Sequence, residues 1–329
     1  MTAAATTVEG IVRAAGPYVP ALLAQVEQRL VALAAGHGPV LGRHAGATIA
    51  AGGKRLRPLL VILAAGPRAA ERSQLIAAAA AVELIHSATL VHDDVLDSAS
   101  LRRGVPTVWA KGGRALAVAT GDLLFSRAFS ELTAAGSLEA VQALSRATSA
   151  LAEGELLQRQ DAWNAAVPVD RYLLRCELKT ARLFEASCQL GALAAQAPAD
   201  DVTALAAFGR GIGIAFQLLD DVLDVAGPAQ LTGKHRGTDV LDGTVTLPLI
   251  LARERDPALA AVDLRAITTA GAAEALCDRI AATGALEAAR ERALEIVDEA
   301  TARLAPLALE AGQREALRLV AGSVVDRSA

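Results

Sequence analysis

The five residues DDVLD occur twice in the chain, at positions 93–97 and 220–224. On a helix, the first and last aspartates of each copy lie four residues apart on one face and can share a divalent cation. Carboxylates this close raise one another's pKa unless a cation lies among them. Oxygen ligands favour Mg²⁺, which completes its shell with water and phosphate oxygens. The spacing therefore predicts a magnesium site with Asp93, Asp97, Asp220, Asp221 and Asp224 as candidate ligands and Asp94 beside them.

A metal-bound phosphate needs cationic partners, and basic residues follow the same pattern along the chain. The stretch "GGKRLRP" at 52–58 is typical of a loop that opens into a helix N-terminus and binds an anion. Arg102 and Arg103 follow the first motif, Lys179 interrupts an apolar run, and Lys234 lies in a long polar segment at 227–243. Each cation alone is typical of a solvated surface. Together they predict two anionic ligands held between metal and basic side chains.

The elements that position these residues are predicted to be helices. Of the 329 residues, 53% are hydrophobic but only 3% aromatic, which favours closely packed helices over sheets. Apolar residues recur at helical spacing over 8–35, 75–97, 112–134, 138–160, 169–195, 201–225 and 285–304. No Gly- or Pro-rich break is long enough for an interdomain linker. We expect one all-α domain over residues 1–329, with its functional motifs at 52–248.

Composition argues against several classes of protein. A net charge of −4 without blocks of like charge disfavours nucleic-acid partners. Cys176, Cys188 and Cys277 lack C-x-x-C spacing, so we expect buried, reduced thiols rather than disulfides or a zinc site. The N-terminus lacks signal-peptide features, and the apolar run at 75–91 contains Glu83, which favours a buried helix over a membrane span. We expect a cytoplasmic protein, with a mean hydropathy of +0.36 that suits weak contact with a membrane surface.

As a set, the motifs resemble those of the trans-polyprenyl diphosphate synthases, or all-trans isoprenyl diphosphate synthases. The resemblance covers about residues 52–248 and is carried by "GGKRLRP", "LIHSATLVHDDVLD" with "LRRG", "GD" at 121–122, "EGE" with Gln158, "KT" at 179–180, "FQLLDDVLD", "GK" at 233–234 and "TLP" at 246–248. It implies a single bundle of long antiparallel helices around a deep central cavity, working as a homodimer. It also implies a prenyltransferase that joins isopentenyl diphosphate head-to-tail to an allylic diphosphate, farnesyl or geranylgeranyl diphosphate, with three Mg²⁺ per active site.

The resemblance also assigns roles to residues of this chain. Isopentenyl diphosphate would bind at Gly53, Lys54, Arg55, His86 and Arg103. The allylic diphosphate would bind through Mg²⁺ to the aspartates and would face Arg102, Lys179, Thr180, Gln217 and Lys234. The catalytic set would be Asp93, Asp94, Asp97, Asp220, Lys179, Thr180, Gln217 and Lys234. One departure is Thr244, at a position where family members often carry lysine. Weak membrane contact would serve the release of an apolar product.

Small residues before the first motif bear on the length of the product. One helical turn is about 5.4 Å, so Ala88 and Thr89 lie one turn deeper in the predicted cavity than Asp93. In farnesyl-type relatives an aromatic side chain near this depth closes the cavity. The small side chains here predict a product longer than C20, in the range C30 to C45. Ile85 belongs to the same predicted chain-length pocket and is bulky enough to close it sooner.

Three alternatives remain open from the sequence. A geranylgeranyl or farnesyl diphosphate synthase would carry the same motifs with a shallower pocket. A class I terpene cyclase usually replaces the second DDxxD motif and needs no second diphosphate site, which the intact "GGKRLRP" disfavours. A non-catalytic regulatory subunit tends to lose metal carboxylates, whereas all six aspartates are present in this chain.

Overall fold

The computed structural model describes residues 8–35, 38–69, 73–227 and 236–325 of the chain. Helices account for nearly all of its secondary structure, as the composition predicts. The α-helices are α1 (Val8–Ala15), α2 (Tyr18–Ala34), α3 (Gly38–Ala50), α4 (Leu56–Ala65), α5 (Ser73–Leu96), α6 (Val108–Ala134), α7 (Leu138–Asp161), α8 (Val169–Cys176), α9 (Arg182–Ala194), α10 (Ala199–Ala226), α11 (Thr238–Leu241), α12 (Leu247–Arg255), α13 (Pro257–Ala260), α14 (Ala270–Ala281), α15 (Ala285–Ala302) and α16 (Ala311–Val325). Short 3₁₀ turns lie at Pro67–Ala69 and Leu264–Ala266, a π turn joins α8 to α9 at Glu177–Ala181, and strands β1 (Leu101–Arg102) and β2 (Val105–Pro106) form a hairpin.

Helices α5 and α10 form the centre of the bundle, and each ends in one DDVLD motif. Helix α5 packs against α2, α4, α6 and α9, while α10 packs against α9 and α15. Both are long and apolar enough to cross a membrane, but 72% and 56% of their most apolar windows are buried within the protein. A buried core helix needs apolar residues on all sides. The two acidic motifs therefore lie where the core meets solvent.

The structure confirms the all-α prediction and corrects several boundaries. The segment predicted as one helix over 8–35 is two helices, because Gly16 has a φ of 110° and Pro17 follows it. The segment over 169–195 is interrupted by the π turn. Helix α6 begins four residues before the predicted start at 112 and is kinked at Gly113, whose φ is 74° and ψ −178°. Helices α3, α4, α12, α14 and α16 were missed, because short alanine-rich or apolar segments have weak helical periodicity.

Two glycines allow the neighbouring helices to approach the π turn closely. A Cβ atom on Gly154 of α7 would lie 2.5 Å from the backbone nitrogen of Lys179. A Cβ atom on Gly213 of α10 would lie 2.5 Å from the Cα of Ala181. Neither distance is compatible with a side chain, so α7 and α10 contact the π turn backbone to backbone. Gly154 is the central residue of the "EGE" motif, so close packing of α7 on the π turn explains why that position is glycine.

The hairpin after α5 returns two arginines toward that helix. Its turn residues Arg103 and Gly104 have φ angles of 52° and 76°, the left-handed values of a tight hairpin turn. Thr107 then caps α6, because its Oγ1 accepts a hydrogen bond from the Ala110 nitrogen at 3.0 Å. The same hydroxyl donates to the carbonyl of Ala99 at 2.7 Å, which ties α6 to the end of α5.

The cysteines are as predicted. Cys176, Cys188 and Cys277 are buried and are free thiols. Burial raises the pKa of Cys277 to about 12 and raises the pKa of the other two thiols well above their usual range. Protonated, buried thiols of this kind behave as small apolar side chains.

Candidate active site

The first acidic motif lies at the C-terminal end of α5, where its three aspartates have different surroundings. Asp94 is buried, and its Oδ1 accepts a hydrogen bond from Arg102 Nε at 2.6 Å. Burial raises the pKa of Asp94, and Arg102 opposes that rise. Asp97 is more exposed and accepts a bond from Arg159 at 3.1 Å. The motif therefore presents Asp93 and Asp97 outward while Asp94 is held back by the hairpin.

Asp93 faces the side chains of α7 and the π turn. Burial raises the pKa of Asp93 to about 6, and the carboxylates of Glu155 and Asp97 add to the rise while Lys179 opposes it. Lys179 Nζ donates to Glu155 Oε2 at 2.5 Å and to Gln158 Oε1 at 3.1 Å. Two carboxylates, those of Asp93 and Glu155, thus lie near Lys179, and Asp97 lies near Asp93. A site of this composition favours a further cation.

The second acidic motif is joined to the π turn by a chain of hydrogen bonds. Thr180 Oγ1 donates to Gln217 Oε1 at 2.7 Å, and Gln217 Nε2 donates to Asp221 Oδ1 at 2.7 Å. Asp221 is buried, and its Oδ2 accepts a bond from the Tyr172 hydroxyl at 2.7 Å. Burial raises the pKa of Asp221 above its usual range, and the two hydrogen bonds oppose the rise. Asp221 therefore anchors the motif from inside.

The other two aspartates of this motif lie nearer to solvent. Asp220 is exposed, and Asp224 is half-buried. Asp224 Oδ2 accepts a bond from the Asp239 nitrogen at 3.2 Å, so it also holds the start of α11. Lys234, predicted to face the allylic substrate, lies outside the described residues.

The structure thus places the predicted lysine–threonine pair between the two acidic motifs. Lys179 is bonded to Glu155 of α7 and lies near Asp93 of the first motif, and Thr180 is bonded to Gln217, which is bonded in turn to Asp221 of the second motif. Within the described ranges, no group of three or more His, Cys, Asp or Glu side chains is arranged to hold a metal by itself. The available donors are all carboxylate oxygens, which are the ligands that Mg²⁺ prefers. They fit a magnesium ion that takes its remaining ligands from water or phosphate.

A second group of predicted residues surrounds a cavity of about 340 Å³. The cavity lies between α3, α5, the hairpin and the first turn of α6, and its basic lining residues are His44, Arg55, His86, Arg102, Arg103 and Lys111. Burial and the guanidinium groups of Arg57, Arg103, Arg102 and Arg55 hold the pKa of His86 well below its usual range. A neutral imidazole among four arginines marks a strongly electropositive region. Such a region attracts a diphosphate.

Arg55 and Arg57 differ in the partners that they already have. Arg55 donates to Glu27 at 2.5 Å, to Glu83 at 2.7 Å and to the Ile49 carbonyl at 2.8 Å. These three bonds hold Arg55 in place at the start of α4, where its φ is 47°. Its predicted contact with substrate therefore gains no support from its hydrogen bonds.

Arg57 belongs to the predicted anion-binding stretch 52–58 but was not assigned to the isopentenyl diphosphate site, and it has the properties expected of an anion ligand. Its guanidinium stacks over the Phe184 ring with its carbon 4.8 Å from the ring centroid, and its buried Nε has no hydrogen-bond partner. Burial lowers the pKa of Arg57 to about 10, and nearby Arg103 adds to that effect. A desolvated arginine with an unpaired donor gains strongly from a phosphate oxygen. Both arginines lie in "GGKRLRP", so the motif alone could not separate them.

The remaining predicted residues are those of the loop before α4 and of the predicted chain-length pocket. A Cβ atom on Gly53 would lie 2.9 Å from Arg103 Nη1, so this glycine lets the guanidinium rest on the loop backbone. Lys54 is exposed. Ile85 and Ala88 are buried, and Thr89 donates to the His86 carbonyl at 2.8 Å. The 340 Å³ cavity is lined by Ser87, Leu90 and Val91 of α5, so it does not include the predicted chain-length residues.

Two carboxylate clusters joined to one π turn, with an arginine-rich cavity beside the first cluster, suit an enzyme that binds two diphosphates and releases one. This is the arrangement expected of a prenyltransferase.

Comparison with known proteins agrees with this class. The polyprenyl synthetase family model matches residues 39–283. Heptaprenyl diphosphate synthase component 2 of Geobacillus stearothermophilus is 40% identical over 307 residues, which cover 89% of this chain and 96% of that protein. Octaprenyl diphosphate synthase of Escherichia coli K12 is 37% identical over 283 residues, covering 85% and 87%. A crystal structure of a polyprenyl synthase from Caulobacter crescentus, complexed with calcium and isoprenyl diphosphate, superposes with a TM-score of 0.91 at 37% identity over 98% of each chain.

The chain therefore belongs to the polyprenyl synthetase family, and its activity is that of a prenyltransferase. This confirms the family and the reaction class that the motifs predict.

Proposed function

We propose that the protein uses Mg²⁺ to condense isopentenyl diphosphate with an allylic diphosphate, head-to-tail and all-trans, and that it makes a polyprenyl diphosphate longer than C20. The observation that carries the proposal is the π turn between the two acidic motifs. Lys179 of this turn is bonded to Glu155 and lies near Asp93 of the first motif, while Thr180 is linked through Gln217 to Asp221 of the second. Both motifs can therefore act on the same diphosphate.

In this proposal the allylic diphosphate lies between the two acidic motifs. Mg²⁺ held by Asp93, Asp97, Asp220 and Asp224 would neutralise the charge that develops on the departing diphosphate. Lys179 supports the same charge from the side of α7. Asp94 and Asp221 are held by Arg102 and by Tyr172, so their role is to orient the outward-facing aspartates.

Isopentenyl diphosphate would bind at the arginine-rich region. Arg57, Arg103 and His86 supply donors that can contact its diphosphate, with Lys54 at the exposed edge. The adjoining helices α4, α5 and α9 are apolar and would exclude water from the allylic cation until the double bond attacks it. The side-chain oxygens of Gln217 and Thr180, which are hydrogen-bonded to each other, would steady the positive charge. The released diphosphate can accept the final proton, so no protein base is assigned.

The product length follows from the relatives and from α5. The relatives described above are named for products of seven and eight prenyl units. Ala88 and Thr89 are small, and Ile85 lies one turn further into the core. We take farnesyl or geranylgeranyl diphosphate as the primer and C30 to C45 as the product range. Release of so apolar a product would be helped by weak contact with a membrane surface.

The assembly and location are part of the same proposal. Helix α6 packs on α5 with one side and leaves Ala115, Val118 and Ala119 exposed on another. Small exposed apolar residues on a long helix allow close packing of a second copy, so we propose a homodimer through α6. Three free, buried thiols suit a reducing compartment, the cytoplasm.

The test is to incubate the purified protein with Mg²⁺, isopentenyl diphosphate and farnesyl diphosphate, and to size the extracted products by mass spectrometry. We expect polyprenyl diphosphates longer than C20 that vanish with EDTA and with Asp97→Asn, but persist with Asp298→Asn at an exposed site on α15. Products that stop at C20 would support the proposed condensation reaction but refute the proposed product length. No elongation with any allylic primer would indicate that the chain needs another subunit, as the name of the relative called component 2 suggests for that protein.

A further inference from the structure

Arg159 on α7 lies beside the exposed end of the first acidic motif and bridges Asp97 of that motif to Glu155 of its own helix. Its Nη2 donates to Asp97 Oδ1 at 3.1 Å, and its Nε donates to Glu155 Oε1 at 2.9 Å. Glu155 Oε2 accepts the bond from Lys179. The result is a row of alternating charges in which Arg159 and Lys179 are the two resident cations.

The two resident cations differ in how firmly they are held. Lys179 is bonded to both Glu155 and Gln158, and its side chain is the less exposed of the two. Arg159 and Asp97 have side chains that are 45% and 46% exposed. An ion pair this exposed is weak, because water and salt screen it. The bond between Arg159 and Asp97 is therefore the one that opens most easily.

Asp97 cannot serve a divalent cation and Arg159 equally well at the same time. The two positive charges repel, and the guanidinium covers the oxygen of Asp97 that faces α7. The second bond of Arg159 joins residues four apart on one helix, so the side chain can leave Asp97 and stay on Glu155. The guanidinium can therefore bond Asp97 and Glu155 without a metal ion, and Glu155 alone when a metal ion occupies Asp97.

We propose that Arg159 is a positioning residue of the first acidic motif, which holds Asp97 in the metal-free protein and moves off it when a divalent cation binds. Arg159 thereby sets the cation affinity of the site. This inference rests on the proposed function, because it assumes that Asp97 is a metal ligand. It assigns Arg159 no contact with the reacting atoms.

The test is Mn²⁺ binding to the whole protein, followed by electron paramagnetic resonance of the free ion, for wild type and Arg159→Gln. We expect the variant to bind Mn²⁺ about threefold to fivefold more tightly at low salt, since it loses a competing exposed ion pair. The difference should shrink in 0.5 M KCl, where the pair is screened in the wild type. Arg159→Lys retains a charge and should bind Mn²⁺ more like the wild type.

The matched control is Arg146→Gln, which removes the same charge from an exposed position of the same helix, thirteen residues earlier and about 20 Å away. We expect its Mn²⁺ affinity to equal that of the wild type. Unchanged or weaker Mn²⁺ binding by Arg159→Gln, in protein that still elongates, would overturn this inference alone. A wild-type protein that binds no Mn²⁺ and makes no product would overturn the proposed function and this inference together.

Discussion

Replacing Asp93 by asparagine is expected to stabilise the metal-free protein while it stops prenyl transfer. Burial, with the nearby carboxylates of Glu155 and Asp97, raises the pKa of Asp93 from 3.8 to about 6. At about 1.4 kcal/mol per pH unit, the ionised form costs the folded protein roughly 3 kcal/mol relative to the unfolded chain at pH 7. Solvent reaches part of this side chain, so we expect asparagine to recover about 1–3 kcal/mol.

The sign of the pH dependence follows from the same shift. The pKa of Asp93 is higher in the folded state, so folding favours the protonated form. The cost of ionising Asp93 therefore grows as pH rises from about 4 to 6 and is nearly constant above that window. The stabilisation by asparagine should fall to roughly half at pH 5.

The assay is thermal unfolding in EDTA at pH 7 and pH 5, with Asp298→Asn as the control. We expect Tm to rise by roughly 1–4 °C for Asp93→Asn at pH 7, by less at pH 5, and not at all for the control. Elongation should fall by about 10²-fold or more, since a group that stabilises developing charge is removed. A lower Tm for Asp93→Asn in EDTA at pH 7, or an equal gain at both pH values, would refute the reasoning.

Three further outcomes are expected. Arg57→Gln should raise KM for isopentenyl diphosphate about tenfold or more, since a charge-assisted hydrogen bond is lost, and leave KM for the allylic diphosphate nearly unchanged in steady-state kinetics; equal rises in both would contradict the assignment. Tyr172→Phe should lower the free energy of unfolding by about 1–3 kcal/mol in urea titrations, because buried Asp221 loses a partner, and kcat should fall as well; an unchanged kcat would remove Asp221 from the mechanism. Thr89→Phe should shorten the product made from farnesyl diphosphate toward C20, as mass spectrometry would show, and an unchanged product would place the chain-length pocket elsewhere.

The sequence predicts the long central helices and the ends that carry aspartates, because the helical period and the acidic motifs are local features. It does not predict the π turn. That turn depends on Gly154 and Gly213, which lie on other helices and let the backbones touch. The break at Gly16 and Pro17 was a local signal that should have divided the first predicted helix.

The same limit explains why the sequence does not distinguish Arg55 from Arg57. Both are basic residues in one motif, and their difference arises from Glu27 and Glu83, each 28 residues from Arg55 in the chain. These carboxylates accept hydrogen bonds from Arg55, whereas the buried Nε of Arg57 has no partner. A pattern of residue types within seven positions cannot contain that information.

The π turn also has a genetic consequence. A π turn holds one residue more than a regular helical turn, and each residue rotates a helix by about 100°. Deleting a single codon among 177–181 would restore an ordinary continuous helix from α8 to α9. Such a mutant would keep its helix content and every charged residue outside the deletion, yet Lys179 and Thr180 could no longer point to α7 and α10 together. The connection between the two acidic motifs therefore depends on one inserted residue. Loss of that residue would hardly change the composition of the chain but would impair its function.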